Sequence, residues 1–117
     1  MNESEYLTVL VSVSDAKAGV ALGRTLVEER LAGCVQVGPG GTAIYRWHGV
    51  LYTDPQAQLI IKTTRAAWTA LQARILELHS DETPEILALA VVDGLPAYLR
   101  WMDEVVTIEP ESPRGGR

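Results

Sequence analysis

Residues 42–64 read TAIYRWHGVLYTDPQAQLIIKTT, and the local period of this stretch decides the fold. Thr42–Trp47 (TAIYRW) is rich in β-branched and aromatic residues, the composition of a strand. Only His48 and Gly49 separate it from Val50-Leu51-Tyr52, the spacing of a two-residue hairpin turn with glycine free to take positive φ. Asp54-Pro55 punctuates the run, and Gln58–Thr63 (QLIIKT) makes the next strand stretch. The centre of the chain is therefore β-structure folded back on itself.

Working toward the N-terminus, Gly33–Val37 (GCVQV) reads as a strand, and Gly38-Pro39-Gly40-Gly41 as a bulge or bend leading into the hairpin. Tyr6–Val13 (YLTVLVSV) is aliphatic without helical spacing, which suits a strand buried at least partly on both faces. Between these strands the period changes. Ser14 can cap a helix and Asp15 sets negative charge at its positive end. Ala16, Val20, Gly23, Val27 and Leu31 then recur at three- and four-residue spacing as one apolar face. Gly19 and Gly23 each weaken such a helix by up to about 1 kcal/mol relative to alanine, so they mark either close backbone packing or mere tolerance.

Toward the C-terminus, Trp68, Leu71, Ile75 and Leu78 mark a second amphipathic helix. It opens near Thr64 and closes before Ser80, because Pro84 disfavours helix at Thr83. Glu85–Val92 (EILALAVV) is short enough for a buried strand, and Pro96 suits the first turn of a third short helix through Met102. The order β-α-β-β-α-β plus a helix is the split βαβ plan: an α+β, ferredoxin-like sandwich. Residues 6–109 form one domain, residues 1–5 a flexible leader, and residues 110–117, which lack core formers, a disordered tail. Two helices cover one sheet face. Tyr45, Trp47, Leu59, Ile61 and the last strand then supply more apolar surface than a small monomer hides, which predicts strand-mediated oligomerisation.

With 117 residues and 47% hydrophobic content, the chain supports a single core. A formal net charge of −5 argues against a phosphate-binding surface, so no nucleic-acid partner is expected. RNA-recognition domains of the same topology use stacking aromatics on a basic sheet, whereas this chain is acidic and has no Phe. No apolar stretch reaches the roughly 20 residues that span a bilayer, so no membrane partner is expected either. Cys34 is the only cysteine and the N-terminus lacks signal-peptide character, which together fit a reduced cytoplasm. Neither a P-loop nor a GxSxG elbow occurs, and the Ser, His and Asp residues show no triad spacing. An acylphosphatase-like site needs an asparagine, and the only one is Asn2. The chain is not read as an enzyme.

Five blocks in order resemble the CutA family of divalent-ion tolerance proteins: Leu26–Val35 (LVEERLAGCV), Ile44–Gly49 (IYRWHG), Ile61–Thr64 (IKTT), Thr83–Ile86 (TPEI) and Tyr98–Trp101 (YLRW). They span most of Tyr6–Val106. The resemblance implies a ferredoxin-like protomer, a homotrimer in which long strands pair across subunits, as in the PII regulatory proteins, and an association with divalent metals, copper above all. It also implies an inter-subunit cleft. The chain departs from the family's common pattern at Gly33 and Gln36 around Cys34, at His48, and at Ser80-Asp81 after His79, where proline and tyrosine are usual. The end of the first strand, Val11-Ser12-Val13, lacks the cysteine some members carry, so no thiol copper site lies there.

His79, Asp81 and Glu85, with Glu82 between them, lie in one short segment. Imidazole with carboxylates suits copper, nickel or zinc, which makes this the candidate metal site, with copper(II) or another divalent cation a non-obligatory ligand. The alternative places His79 at a helix C-terminus beside solvated carboxylates. Cys34 is a soft donor or a small buried hydrophobe. Tyr45, Trp47 and Trp101 line a ligand cleft or supply interface area. Lys62, alone among apolar strand residues, reaches a rim, pairs with a carboxylate such as Glu85, or meets an anionic ligand. Two functions follow: a metal-binding tolerance protein, and a PII-like regulatory module holding a small ligand or protein partner in clefts between subunits.

Overall fold

The computed structural model describes residues 4–108, so the tail expected over 110–117 lies outside the described residues. Its elements run β1 (Tyr6–Val13), α1 (Ala16–Glu28), β2 (Cys34–Val37), β3 (Gly41–Trp47), β4 (Val50–Thr64), α2 (Trp68–Leu78), β5 (Ile86–Ala90) and α3 (Pro96–Val105). The order β2-β4-β1-β5, antiparallel throughout, gives the sheet of the split βαβ plan, with β3 paired to the first half of β4. Of the residues read as leader, Ser4 and Glu5 accept hydrogen bonds through their carbonyls from Arg65, at its Nε (2.5 Å) and its backbone N–H (2.8 Å) respectively.

The hairpin forms where expected. His48 (φ 50°) and Gly49 (φ 80°) both take positive φ, the geometry of a type I′ turn. Tyr45 lies opposite Tyr52, and Trp47 opposite Val50. Asp54-Pro55 does not interrupt the strand: β4 is one element of 15 residues. From Val50 to Gln56 it is paired on one side only, the setting in which a strand tolerates proline. Beyond that it runs between β1 and β2, so one strand carries both the projecting arm and the centre of the sheet.

Alternation along β1 and β4 sorts the side chains. Leu7, Val9, Val11 and Val13 of β1 and Ala57, Leu59 and Ile61 of β4 are buried against Leu22 and Leu26 of α1 and Leu71 and Ile75 of α2. Leu59 and Ile61 are thus core residues, where the sequence reading assigned them to the uncovered face. The uncovered face carries the alternate set: Leu10 beside Ile60 and Leu87, and Thr8 beside Lys62 and Leu89. Leu87 and Leu89 are about half exposed in the protomer, at 55% and 49%. In QLIIKT both isoleucines are equally apolar, and only the register decides which one faces the helices.

The phase of α1 is also corrected. Asp15, not Ser14, caps it, accepting from the Ala18 N–H at 2.8 Å. Its buried stripe is Gly19, Leu22, Gly23 and Leu26, while Val20 and Val27 are exposed. The glycines are the reason: a Cβ on Gly23 would sit 2.8 Å from Val35 Cγ1, and one on Gly19 2.9 Å from Leu59 Cδ2. The helix lies so close to the sheet that side-chain hydropathy alone misplaces its inner face. A smaller cluster joins α3 to the rest, with Met102 and Val106 on Ala67 and Tyr6 and Val105 packed beside them. That helix runs three residues past the expected Met102.

Candidate functional site

The arm formed by β3 and the first half of β4 leans over the segment that joins α2 to β5, and between them lies a cleft of about 480 Å³. Tyr45, Trp47 and Tyr52 form part of the arm wall; Asp81, Glu82 and Glu85 line the opposite side. The Tyr45 and Tyr52 rings stack at 5.4 Å between centroids and 17° between planes, because the two-residue turn sets them directly opposite each other. The Tyr45 hydroxyl donates to Asp54 Oδ2 at 2.5 Å. That hydrogen bond, with smaller contributions from desolvation and from the charges of Asp54 and Asp81, pushes the phenol up to about 12. The hydrogen bond to Asp54 and the stack on Tyr52 together hold the Tyr45 ring on the arm.

Ser12, near the end of β1, holds both ends of the acidic segment. Its backbone carbonyl lies 2.7 Å from His79 Nε2, and its hydroxyl donates to Glu85 Oε1 at 3.0 Å. His79 Nδ1 accepts the Asp81 backbone N–H at 3.0 Å, which makes Nε2 the protonated nitrogen that donates to Ser12. Both ring nitrogens are thus engaged within the chain. His79 caps the C-terminus of α2, the place its alternative reading gave it, and lines a separate small hollow with Val13, Ala18 and Leu22. The structure brings Asp81 and Glu85 to one cleft but does not gather His79 with them around a common point. Among the described residues no three His, Cys, Asp or Glu side chains form a group able to hold a metal ion.

The remaining candidates lie elsewhere. Cys34 is half-buried on β2 opposite Lys62 of β4, on the uncovered sheet face. Lys62 Nζ donates to Gln36 Oε1 at 3.3 Å and not to Glu85. Trp101 packs on Tyr98 at 5.3 Å between ring centroids. The Tyr98 phenol is raised by partial burial and by the nearby Cys34, which sets α3 beside this end of the sheet. Trp47 and Tyr45 meet the acidic residues in the cleft, whereas Cys34, Lys62 and Trp101 do not line it. Tyr52, Ser12 and Gln56 were missed as cleft residues. Tyr52 was legible from the hairpin, since a turn at His48-Gly49 forces it opposite Tyr45; Ser12 carried no signal, because its role depends on a segment far away in sequence.

These features define a class: a small antiparallel α+β protein whose long central hairpin projects over an acidic, aromatic-walled cleft and whose second sheet face is uncovered in the protomer. The model of the CutA1 divalent ion tolerance protein family matches residues 7–105. Among similar proteins, the divalent-cation tolerance protein CutA of Thermus thermophilus is 42% identical over 96 residues, covering 82% of this chain and 93% of that protein. The chloroplastic protein CutA of Arabidopsis thaliana is 34% identical over 82% of this chain, which spans only 53% of that longer relative. Among solved structures, the divalent cation tolerance protein of Thermus thermophilus superposes with a TM-score of 0.84 at 39% identity, covering 87% of this chain and 99% of that one. CutA1 of Oryza sativa superposes with a TM-score of 0.86 at 32% identity, over 91% and 97%. The chain belongs to the CutA1 divalent ion tolerance protein family.

Proposed function

We propose that this chain acts in divalent-cation tolerance as a cytoplasmic, non-enzymatic homotrimer, with copper(II) among the ions it meets. The observation that carries the reading is the charge of the cleft: Asp81, Glu82 and Glu85 line it, and no lysine or arginine does among the described residues. Carboxylates without a basic partner favour a cation there. Copper contact runs through Asp81 and Glu85 with donors from a neighbouring copy, and it is weak, because His79 is held by Ser12 and Asp81. Assembly rests on the uncovered sheet face, where exposed Leu87 lies beside Leu10, Leu10 beside Ile60, and exposed Leu89 follows on the same face beside Thr8.

Calorimetric titration with copper(II) tests the metal role. Saturable binding that weakens in Glu85→Gln, with circular dichroism unchanged, is expected; no saturable heat, or equal affinity in the variant, overturns it. A second reading, a PII-like module that holds a small ligand, is favoured by one observation. A cleft of about 480 Å³ is far larger than a bare ion and falls within the range of roughly 300–1,000 Å³ typical of small-molecule sites.

A further inference from the structure

The cleft that underlies the small-ligand reading has two walls of different chemistry. On the arm, the stacked Tyr45–Tyr52 pair and Trp47 offer aromatic surface, and Ile44 and Ala43 extend it with apolar surface. Facing it, three carboxylates line the space with no basic side chain among the described lining residues. None of the three takes part in an ion pair; the salt bridges among the described residues are those of Arg74 with Glu29 and Glu77. Glu85 is fixed by the Ser12 hydroxyl, and the backbone of Asp81 by the His79 ring, so the acidic wall is held in place before any ligand arrives.

Within one protomer a bare metal ion lacks converging donors among the described residues, which is why the copper contact proposed above draws on a neighbouring copy. Metal binding needs several donors converging on one point, and no such group occurs among the described residues. A larger cation meets both walls at once. The faces of tyrosine and tryptophan rings attract a delocalised positive charge, and carboxylates accept its N–H donors in pairs where it is a guanidinium. Neutral ligands gain no charge attraction from the three carboxylates, and anionic ligands are repelled by them.

We infer that this cleft binds a small organic cation, a guanidinium compound with a short apolar body, its charge set between the Tyr45–Trp47–Tyr52 wall and the Asp81–Glu85 wall. This rests on the small-ligand reading of the cleft. The ring stack orients the apolar body, and the carboxylates select the charge.

The test is calorimetry on the full chain in its native assembly, with butylguanidinium chloride and its neutral isostere butylurea as probes. Butylguanidinium is expected to bind saturably and at least about tenfold more tightly than butylurea, the order of a charge-assisted pair. Tyr52→Leu and Glu85→Gln are each expected to weaken it about threefold to tenfold, in keeping with the loss of one ring face or one carboxylate. Glu104→Gln removes the same charge from the exposed side of α3, outside the cleft, and is expected to leave binding unchanged. Circular dichroism of each variant checks the fold. Equal binding of the two probes overturns the assignment to cations and leaves the cleft a small-ligand site. No binding of either overturns both readings. Weakening by Glu104→Gln equal to that by Glu85→Gln reduces the effect to general charge and overturns the site.

Discussion

Replacing Gly23 by alanine sets two opposed effects against each other. On an exposed helix the change stabilises by up to about 1 kcal/mol, since alanine loses less conformational freedom than glycine. Here the new Cβ would stand 2.8 Å from Val35 Cγ1 and 3.2 Å from Val35 Cβ. Val35 is β-branched and sits in a strand, so its Cβ cannot swing away and α1 must lift from the sheet. Overpacking of this kind costs roughly 1–3 kcal/mol; set against the gain of up to about 1 kcal/mol, and with Val35 Cβ itself in the way, the net is a loss of up to about 2 kcal/mol. The assay is guanidinium unfolding followed by circular dichroism at one fixed protein concentration, because the proposed assembly would make the midpoint concentration-dependent. Gly40→Ala is the control: nothing lies within 4 Å of its Cβ, and this variant is expected to be neutral or slightly more stable. A Gly23→Ala protein as stable as the parent, or more stable, refutes the close approach of α1 to β2.

Asp15→Ala removes the α1 cap and is expected to cost about 1 kcal/mol in the same unfolding assay. Thr63→Val deletes a buried hydroxyl that donates to the Leu31 carbonyl at 2.7 Å, and leaving that acceptor unpaired costs about 1–3 kcal/mol. Tyr45, pushed up to about 12 by its hydrogen bond to Asp54, is expected to titrate late in ultraviolet absorbance, and Asp54→Asn to return it toward the ordinary tyrosine range. A phenol raised in the folded state contributes stability that is complete below about pH 10 and lost as pH rises through about 12, so the alkaline loss of stability should be larger in the parent than in Asp54→Asn, which keeps only the contributions of the other raised phenols, Tyr6 and Tyr98. The Glu29 carboxylate is lowered, chiefly by its hydrogen bonds from Arg74, so its contribution is present above the ordinary glutamate range and lost as pH falls through the lowered value. Glu29→Gln is expected to flatten that acid-side loss.

Local signals made much of the fold legible. Tyr6–Val13 coincides with β1, and the turn at His48-Gly49 fixed the arm, because strand composition and a two-residue loop act within a few residues. What required tertiary information was less accessible. Leu59, Ile60 and Ile61 form an apolar run whose inner and outer members are set by pairing with Val11, Leu10 and Val9. The inner face of α1 turned on Gly19 and Gly23, which carry no side-chain hydropathy at all. Continuity of β4 through Pro55 depended on a free edge opposite β3. At the site, the acidic segment and the aromatic arm were each visible as clusters, but their meeting across the cleft was not. His79 looked like a metal donor in sequence; the Ser12 carbonyl that occupies its Nε2 lies 67 residues away.

The central claim is that the uncovered sheet face, with Leu10, Ile60, Leu87 and Leu89, is buried between copies of the chain. Light scattering coupled to size exclusion at micromolar concentration tests it directly, on the parent and on Ile60→Asp, which places a charge on that face without touching the helix-covered core. The expected result is a mass of three chains for the parent and a lower mass for Ile60→Asp with its circular dichroism retained. A monodisperse monomer for the parent, or an unchanged trimer in Ile60→Asp, contradicts the claim.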